Sequence, residues 1–249
     1  MITLKSHAEI QKMRDAGRIA ALAREAAGEV IKEGVTTRQI ERKIREVISS
    51  HSASPSFLGY SGFPAAACVS VNDEVIHGIP GNRVVKPGDI VKIDVGVLYK
   101  GFQGDCAATF PVGEVAEEVQ KLIEVTKNSF YAGIEQAYPQ KRIGDIGEAI
   151  EKIVVQNGFS VVRDFVGHGI GRELHEDPSV PNYGIAGHGV KLMEGMTLAV
   201  EPMVNMGSWR VRVKKDGWTV VTQDGSLSAH YENTLAITAN GPEILTLPA

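Results

Sequence analysis

The order of elements in the first half of the chain recurs in the second half. Two amphipathic helices followed by an acidic strand are predicted twice, and a shift of 106 residues brings the two copies together. The shift brings Asp94 to within one residue of Glu201, and each lies in an apolar run. It also aligns four helix positions: Ile40, Ile44, Val47 and Ile48 with Ile146, Ile150, Ile153 and Val154. Because apolar spacing can match by chance, the shared element order is what predicts one domain, 1–249, with two related halves, about 1–111 and 112–249.

Composition narrows the functions open to the chain. The 249 residues have an ordinary globular composition and are enough to bury a large core. A net charge of −4 and the lack of a basic block predict no specific nucleic-acid partner. Cys68 and Cys106 form no Cys-x-x-Cys pattern, which favours a reduced, cytoplasmic setting. No apolar run is long enough to span a bilayer, so neither a membrane partner nor a signal peptide is expected.

The predicted elements indicate an α+β fold. Capping boxes at Ser6 and Thr36 each open an amphipathic helix, and further helices are predicted over 115–137 and 145–156. A loop is predicted over 52–64. Strands are predicted over 68–71, 196–204, 209–213, 218–222 and 227–237, with a hairpin over 90–110. The expected architecture is a curved antiparallel sheet covered by helices on one side.

Two carboxylates are predicted to lie close together in the hairpin. Apolar residues alternate with polar ones along its first strand, which places Asp94 on the face away from the core. A two-residue turn at 100–101 pairs Asp94 with Ala107 and Gly96 with Asp105, so the aspartate Cβ atoms would be about 7–8 Å apart. Such carboxylates repel unless a proton or cation neutralises them. Taken alone, the pair is explained equally well by two solvated aspartates.

Two more carboxylates and two histidines bear on this choice. Glu201 interrupts an apolar run, where an unpaired buried charge is expensive. Glu232 shares one face of the last long strand with His230. Taken alone, this face could be the solvent-exposed side of an amphipathic strand. The glycine-rich stretch 166–175 matches neither a dinucleotide-binding pattern nor a P-loop. We interpret its glycines as freeing the backbone to present His168 and His175 to a cleft.

Four carboxylates and one imidazole are suitable ligands for a dinuclear divalent centre. Their oxygen and nitrogen donors suit Mn, Co, Fe or Zn, and two dications would balance four negative charges. Two metals about 3.5–4 Å apart lower the pKa of a shared water and stabilise a tetrahedral intermediate. The sequence has no His-Glu-x-x-His motif, and the run 59–63 fails as a nucleophile elbow because Phe63 replaces its last glycine.

At these residues the sequence resembles the type I methionine aminopeptidases over essentially the whole chain. The motifs that carry the resemblance are 165–175, continuing to Asn182-Tyr183, and 72–80, with the order Asp, Asp, His, Glu, Glu. The resemblance implies the pita-bread fold, with two pseudo-symmetric halves around two divalent ions (Co, Mn, Fe, Zn or Ni). It also implies removal of the initiator methionine from nascent chains when the second residue is small, through a hydroxide held between the metals.

The resemblance also implies roles for individual residues. Glu201 would be the catalytic proton shuttle, and His77 and His175 would be catalytic histidines that hold the substrate. For the metals, Asp94 would chelate one ion, Asp105 and Glu232 would bridge both, and His168 and Glu201 would complete the second. For the methionine side chain, the implied contacts are Tyr60, Phe63, Cys68, Leu174 and Trp218, with Phe57 at the rim. Without the family, such aromatic residues belong more often to the core.

Departures and alternatives accompany this assignment. The spacing from His168 to Glu201 to Glu232 leaves no room for the helical insertion of type II enzymes. Asn233 replaces a histidine found in several relatives, and we expect its side chain on the opposite strand face. A pita-bread Xaa-Pro peptidase would usually carry a large N-terminal domain, whereas this chain begins with the first helix. A non-catalytic pita-bread peptide-binding protein would usually lack metal ligands. Nascent N-termini are the implied partners of an expected monomer, and a ribosome contact stays open.

Overall fold

The computed structural model describes residues 2–248, which form four helices and fifteen strands. The helices are α1 (His7–Val30), α2 (Thr37–Ser50), α3 (Glu117–Ile134) and α4 (Ile143–Gln156). The strands are β1 (Ser54–Pro55), β2 (Cys68–Val71), β3 (Glu74–Ile76), β4 (Ile90–Tyr99), β5 (Phe102–Pro111), β6 (Ser160–Val161), β7 (Gly167–Gly169), β8 (Glu176–Val180), β9 (Thr197–Val200), β10 (Met203–Asn205), β11 (Val211–Val213), β12 (Val220–Thr222), β13 (Ser228–His230), β14 (Glu232–Thr238) and β15 (Gly241–Ile244). None of the helices in this range is both long and apolar enough to cross a membrane.

A nine-stranded antiparallel sheet forms the centre of the molecule. Its strand order is β1-β4-β5-β14-β9-β7-β8, with β2 on β4 and β15 on β14. Two smaller sheets, β13-β10-β6 and β11-β12-β3, complete the β-structure. The sheet therefore joins strands from both ends of the chain, because β14 lies between β5 and β9.

The helices pack on the sheet in two pairs, and each pair has its own apolar cluster. α1 and α2 bury Ile19, Ile40 and Ile44 against the apolar face of β4. α3 and α4 pack with residues of β9 and β14 in a second cluster. α1 crosses β5 closely, since a Cβ on Gly104 would lie 2.5 Å from the backbone nitrogen of Gly17. The helix-facing residues of β4 alternate with Asp94, so this packing directs Asp94 to the other face.

Most of the predicted elements are confirmed, and the differences occur where side chains break the periodicity. Ser6 and Thr36 cap α1 and α2 in capping boxes, and β2 spans the predicted 68–71. The predicted strand over 196–204 divides at Glu201-Pro202, and the one over 227–237 divides at Tyr231. The predicted loop 52–64 contains β1 and a short 3₁₀ turn, Tyr60–Gly62. That the two halves are a repeat stays a prediction.

Candidate active site

Three neighbouring strands present carboxylates on one face of the central sheet. Ala107 of β5 lies opposite Asp94 on β4 and opposite Glu232 on β14, so these three residues form a row across the strands. Asp105 precedes Ala107 by two residues, on the same face of β5. The predicted pairing of Asp94 with Ala107 and of Gly96 with Asp105 is confirmed. All three acidic residues are buried rather than solvated.

Glu201 and His168 approach this row from the adjacent strands. Glu201 follows the last residue of β9, and its carbonyl oxygen accepts a hydrogen bond from Asn182 Nδ2 at 3.0 Å. His168 lies on β7 opposite Ala199 of β9, and its Nε2 is 3.6 Å from Glu201 Oε1. His168 Nδ1 donates to the carbonyl oxygen of Gly169 at 2.8 Å. Because that bond holds the ring proton on Nδ1, the Nε2 lone pair faces the carboxylates.

The glycines of 166–175 serve close packing of the backbone. Gly167 and Gly169 lie in β7, a strand that the sequence pattern did not predict. A Cβ on Gly167 would lie 2.3 Å from the carbonyl oxygen of Ala199, and one on Gly169 would lie 2.2 Å from that of Asp177. Neither glycine has a positive φ. The interpretation that these glycines supply backbone freedom is therefore wrong. Because they have no side chain, β7 can pack closely in the sheet, and His168 points into the cleft.

Burial sets the electrostatics of the cluster. It raises the pKa of Asp105 to about 7 and, with the charges of neighbouring carboxylates, raises those of Asp94, Glu201 and Glu232 well above their ordinary values. Burial, with a contribution from His175, lowers the pKa of His168 to about 3, so this imidazole is neutral. The protein therefore brings four carboxyl groups and a neutral nitrogen donor together in one buried cluster.

The donor set fits divalent metal ions. Asp94 Oδ1, Asp105 Oδ1 and Glu232 Oε1 are buried and have no hydrogen-bond partner among residues 2–248. Buried unpaired oxygens are costly, and a cation is the group that would satisfy several of them at once. One ligand atom from each of Asp105, His168 and Glu232 lies within 4.8 Å of the others. Carboxylate oxygen and imidazole nitrogen are ligands that Mn, Fe, Co and Zn accept.

One cavity contains the whole predicted site. All the residues assigned in the sequence line it: Phe57, Tyr60, Phe63, Cys68, His77, Asp94, Asp105, His168, Leu174, His175, Glu201, Trp218 and Glu232. The structure thus brings together residues that are up to 175 positions apart, from Phe57 to Glu232. The role of each residue stays a prediction.

Two histidines, His77 and His175, also line the cavity. His77 follows β3 with φ 58°, a left-handed conformation that is fixed by hydrogen bonds of Gly78 to Ser70 and Val69 on β2. His175 is exposed, and its ring centroid is 4.2 Å from that of His168. Its Nδ1 is 2.7 Å from the Tyr60 hydroxyl oxygen. If this hydroxyl donates, the imidazole proton lies on Nε2, where it can be donated to a bound carbonyl oxygen.

An apolar slot adjoins the carboxylate cluster. The rings of Phe63 and Trp218 meet edge to face with their centroids 5.1 Å apart, and Leu174 and Cys68 are buried beside the same cavity. Burial, together with the charge of Asp94, raises the pKa of the Cys68 thiol well above its ordinary value, so the thiol is neutral. The slot therefore offers aromatic, aliphatic and thiol surface without a charge.

His230 and Asn233, in the last strands, lie on opposite faces. His230 lies beside Glu201 and Glu232, although the sequence indicated only that it shares a strand face with Glu232. Asn233 lies on the opposite face, as expected, where Oδ1 accepts hydrogen bonds from Thr246 Oγ1 at 2.9 Å and Arg24 Nη1 at 3.3 Å. Period-two alternation identified both faces, but only the tertiary structure shows that His230 also lies beside Glu201.

Comparison with known proteins gives this arrangement a family. The model of metallopeptidase family M24 matches residues 11–239. The chain belongs to metallopeptidase family M24. A similar M24 relative, the methionine aminopeptidase of Clostridium perfringens, is 58% identical over 247 residues, covering 99% of each chain. The crystal structure of a methionine aminopeptidase from Thermotoga maritima is 50% identical and superimposes with a TM-score of 0.97, covering 99% of each chain.

Proteins named for a different activity share the architecture at lower identity. The prolidase of Pyrococcus horikoshii is 26% identical with a TM-score of 0.80, and the match covers 99% of this chain but 64% of that one. These similarities confirm the α+β class and the curved antiparallel sheet of the pita-bread fold. Membership of M24 makes the chain a metallopeptidase that uses divalent metal.

Proposed function

We propose that the protein is a methionine aminopeptidase, which hydrolyses the first peptide bond of polypeptides that begin with methionine and have a small second residue. The observation that carries the proposal is that a cluster of carboxylates and imidazoles lines the same cavity as an uncharged slot. The slot, lined by Phe63, Cys68, Leu174 and Trp218, suits an unbranched thioether, because sulfur makes favourable contacts with aromatic rings. Full-length relatives with the name methionine aminopeptidase agree with this proposal.

Two divalent ions would be held by Asp94, Asp105, His168, Glu201 and Glu232. When bound, these ions supply Lewis acidity and lower the pKa of water. The free α-amine of the substrate would be able to bind such an ion, which would limit cleavage to the first residue. The metals proposed are Co, Mn, Fe, Zn or Ni. Elemental analysis of protein purified without added metal tests both their identity and their number.

Glu201 is proposed as the group that moves the proton. Its carboxylate lies at the cavity wall beside His168, and burial raises its pKa well above the ordinary value of a glutamate. A carboxylate with a raised pKa accepts a proton from attacking water more readily than an exposed one. The same group can then return the proton to the nitrogen of the departing amine. Glu201 would therefore act as general base and then as general acid.

His175 is proposed to stabilise the negative charge that develops on the carbonyl oxygen. The Tyr60 hydroxyl at its Nδ1 would favour the tautomer with the proton on Nε2. His77 would hold the peptide from the opposite side, where burial and the charge of His175 lower its pKa to about 4 and keep it neutral. Neutral imidazoles can donate to the substrate without repelling its α-ammonium group.

Replacing His175 with alanine should lower kcat about 10²-fold or more and change KM little, since an oxyanion contact acts mainly in the transition state. Steady-state kinetics with a Met-Ala-Ser substrate measure both constants. Tyr60→Phe serves as the matched control, because it removes only the hydroxyl at Nδ1 and should give a smaller loss of kcat. A His175→Ala protein with a raised KM and an unchanged kcat would show that this histidine only binds substrate.

The function itself is tested by substrate choice. Metal-free protein supplied with Mn(II), Co(II) or Fe(II) should release methionine from Met-Ala-Ser and should leave Ala-Pro-Ala intact. Cleavage of the proline peptide alone would support the Xaa-Pro peptidase alternative. Cleavage of neither peptide, with metal shown to be bound, would support a peptide-binding protein without catalysis. Met-Leu-Ser is the control for the second position, and it should be cut more slowly than Met-Ala-Ser.

We also propose a setting for the reaction: newly synthesised polypeptides in the cytoplasm, processed by a monomer. The free, buried Cys68 and Cys106 agree with a reducing compartment. A monomer is sufficient because one chain supplies every residue that lines the cavity. Size-exclusion chromatography with light scattering tests the monomer, and cosedimentation with ribosomes tests a contact during synthesis.

A further inference from the structure

His230 has a buried imidazole that has no role in the proposed reaction. Its side chain is 2% exposed at the end of β13, and Nε2 has no hydrogen-bond partner among residues 2–248. The backbone around it is held firmly. The Thr109 hydroxyl donates to the carbonyl oxygen of His230 and accepts from its N–H, each at 2.9 Å. An unpaired nitrogen in a fixed, buried position is costly, so a missing partner is indicated.

Two carboxylates of the cluster lie near this nitrogen. His230 Nε2 is 3.7 Å from Glu201 Oε2 and 4.0 Å from Glu232 Oε2. Both separations are too long for a hydrogen bond. On the other side of the same carboxylate, His168 Nε2 is 3.6 Å from Glu201 Oε1. Glu201 therefore lies between two imidazoles, and each of its oxygens faces one of them at nearly the same distance.

These separations match those of ligands that share an ion. Metal bonds to imidazole nitrogen and carboxylate oxygen are about 2.0–2.2 Å long, so two ligands on one ion are at most about 4.2–4.4 Å apart. The distances from His230 Nε2 to Glu201 and to Glu232 both lie within this limit. One ligand atom from each of the three residues also lies within 4.8 Å of the other two.

We propose that His230 is a sixth protein ligand of the metal centre, and that its Nε2 binds the ion that Glu201 and Glu232 hold. This inference rests on the proposed function only because that function requires a divalent ion in the cavity. A second imidazole beside His168 changes the chemistry of the site, since nitrogen donors favour Co, Ni and Zn over Mn. The protein should therefore discriminate more strongly against Mn(II) than a centre with one imidazole.

Pulsed electron paramagnetic resonance tests the proposal directly, because modulation of the Mn(II) echo counts the imidazole nitrogens that are bound. Protein loaded with one equivalent of Mn(II) should give the spectrum of two imidazoles. H168Q and H230Q should each retain one, and the double variant should retain none. H188Q is the matched control, since His188 is an exposed histidine that does not line the cavity, and its spectrum should equal that of the unmodified protein.

A one-imidazole spectrum in the unmodified protein, or complete loss of nitrogen modulation in metal-bound H168Q, would overturn the proposal and leave His230 as a neighbour of Glu201 only. This reading does not require H230Q to fold. Calorimetric titration gives a second measure, and H230Q should bind Co(II) about 10- to 100-fold more weakly. If the protein cleaves no peptide but gives a two-imidazole spectrum, the proposed function is wrong and His230 is still a ligand. If it cleaves Met-Ala-Ser but gives a one-imidazole spectrum, the proposed function stands and His230 is not a ligand.

Discussion

Replacing Glu201 with glutamine should lower kcat for Met-Ala-Ser by about 10²- to 10⁴-fold, the usual contribution of a positioned general base. Glutamine keeps the size of the side chain and one oxygen that can contact a metal, but it cannot accept a proton. KM should change much less than kcat, because the slot formed by Phe63 and Trp218 is untouched. Single-turnover and steady-state kinetics at saturating metal measure the effect. Glu201→Ala, which also removes both oxygens, should abolish turnover.

The control for this prediction is the metal content of the variant. Elemental analysis must find the same number of ions in the glutamine variant as in the unmodified protein, so that a lost ion is not mistaken for a lost base. Glu173→Gln changes an exposed glutamate that does not line the cavity, and this variant should keep full activity. If the Glu201→Gln protein retains bound metal and a kcat within about tenfold of the original, another group moves the proton and our assignment is wrong.

The geometry of the carboxylate pair could be predicted from sequence because short-range rules determine it. Alternation along β4 decides which side chains face α1, and the two-residue turn at 100–101 fixes the register. Asp94 and Asp105 are therefore placed by residues within one hairpin. The same rules account for the capped starts of α1 and α2, since each capping box involves only four consecutive residues.

These short-range rules do not predict contacts between segments that are distant in sequence. β7 has two glycines in three residues and no alternating pattern, and it becomes a strand because β9 and β8 flank it. Trp218 reaches Phe63 only because β12 pairs with β3. The resemblance to a family supplied Trp218 and Leu174 as pocket residues, whereas apolar pattern alone predicts a core position for both.

His230 shows most clearly what a pattern leaves out. The alternation along the predicted strand 227–237 put it on the face of Glu232, but an amphipathic strand in water would have the same sequence. Its importance comes from burial and from an unpaired Nε2 near Glu201, and both are properties of the folded chain. A ligand set derived from motifs is thus incomplete where an additional residue enters from a neighbouring strand.

The buried carboxylates should make the metal-free protein less stable than a variant with one fewer charge. In metal-free solution at pH 8, Asp105→Asn should be more stable than the unmodified protein by about 4 kcal/mol. Burial raises the pKa of Asp105 from 3.8 to about 7, and each pKa unit corresponds to about 1.4 kcal/mol. Because the folded-state pKa lies above the unfolded one, the carboxyl is favourable below the unfolded pKa and its contribution is lost as pH rises through about 7. The advantage of the asparagine variant should therefore shrink as pH falls towards 5.

Urea unfolding in the presence of a chelator, at pH 5 and at pH 8, measures this difference. Comparing two proteins cancels the titration of His77, His168 and Lys92, whose pKa values burial lowers, because these residues are present in both. Asp164→Asn changes an exposed aspartate and should stay within about 0.5 kcal/mol at either pH. Saturating Zn(II) should reverse the order, because the cation stabilises only a protein that keeps its ligand. If Asp105→Asn is instead the less stable protein at pH 8 without metal, burial of the Asp105 carboxylate does not destabilise the metal-free protein, and our explanation of why the site needs a cation is wrong.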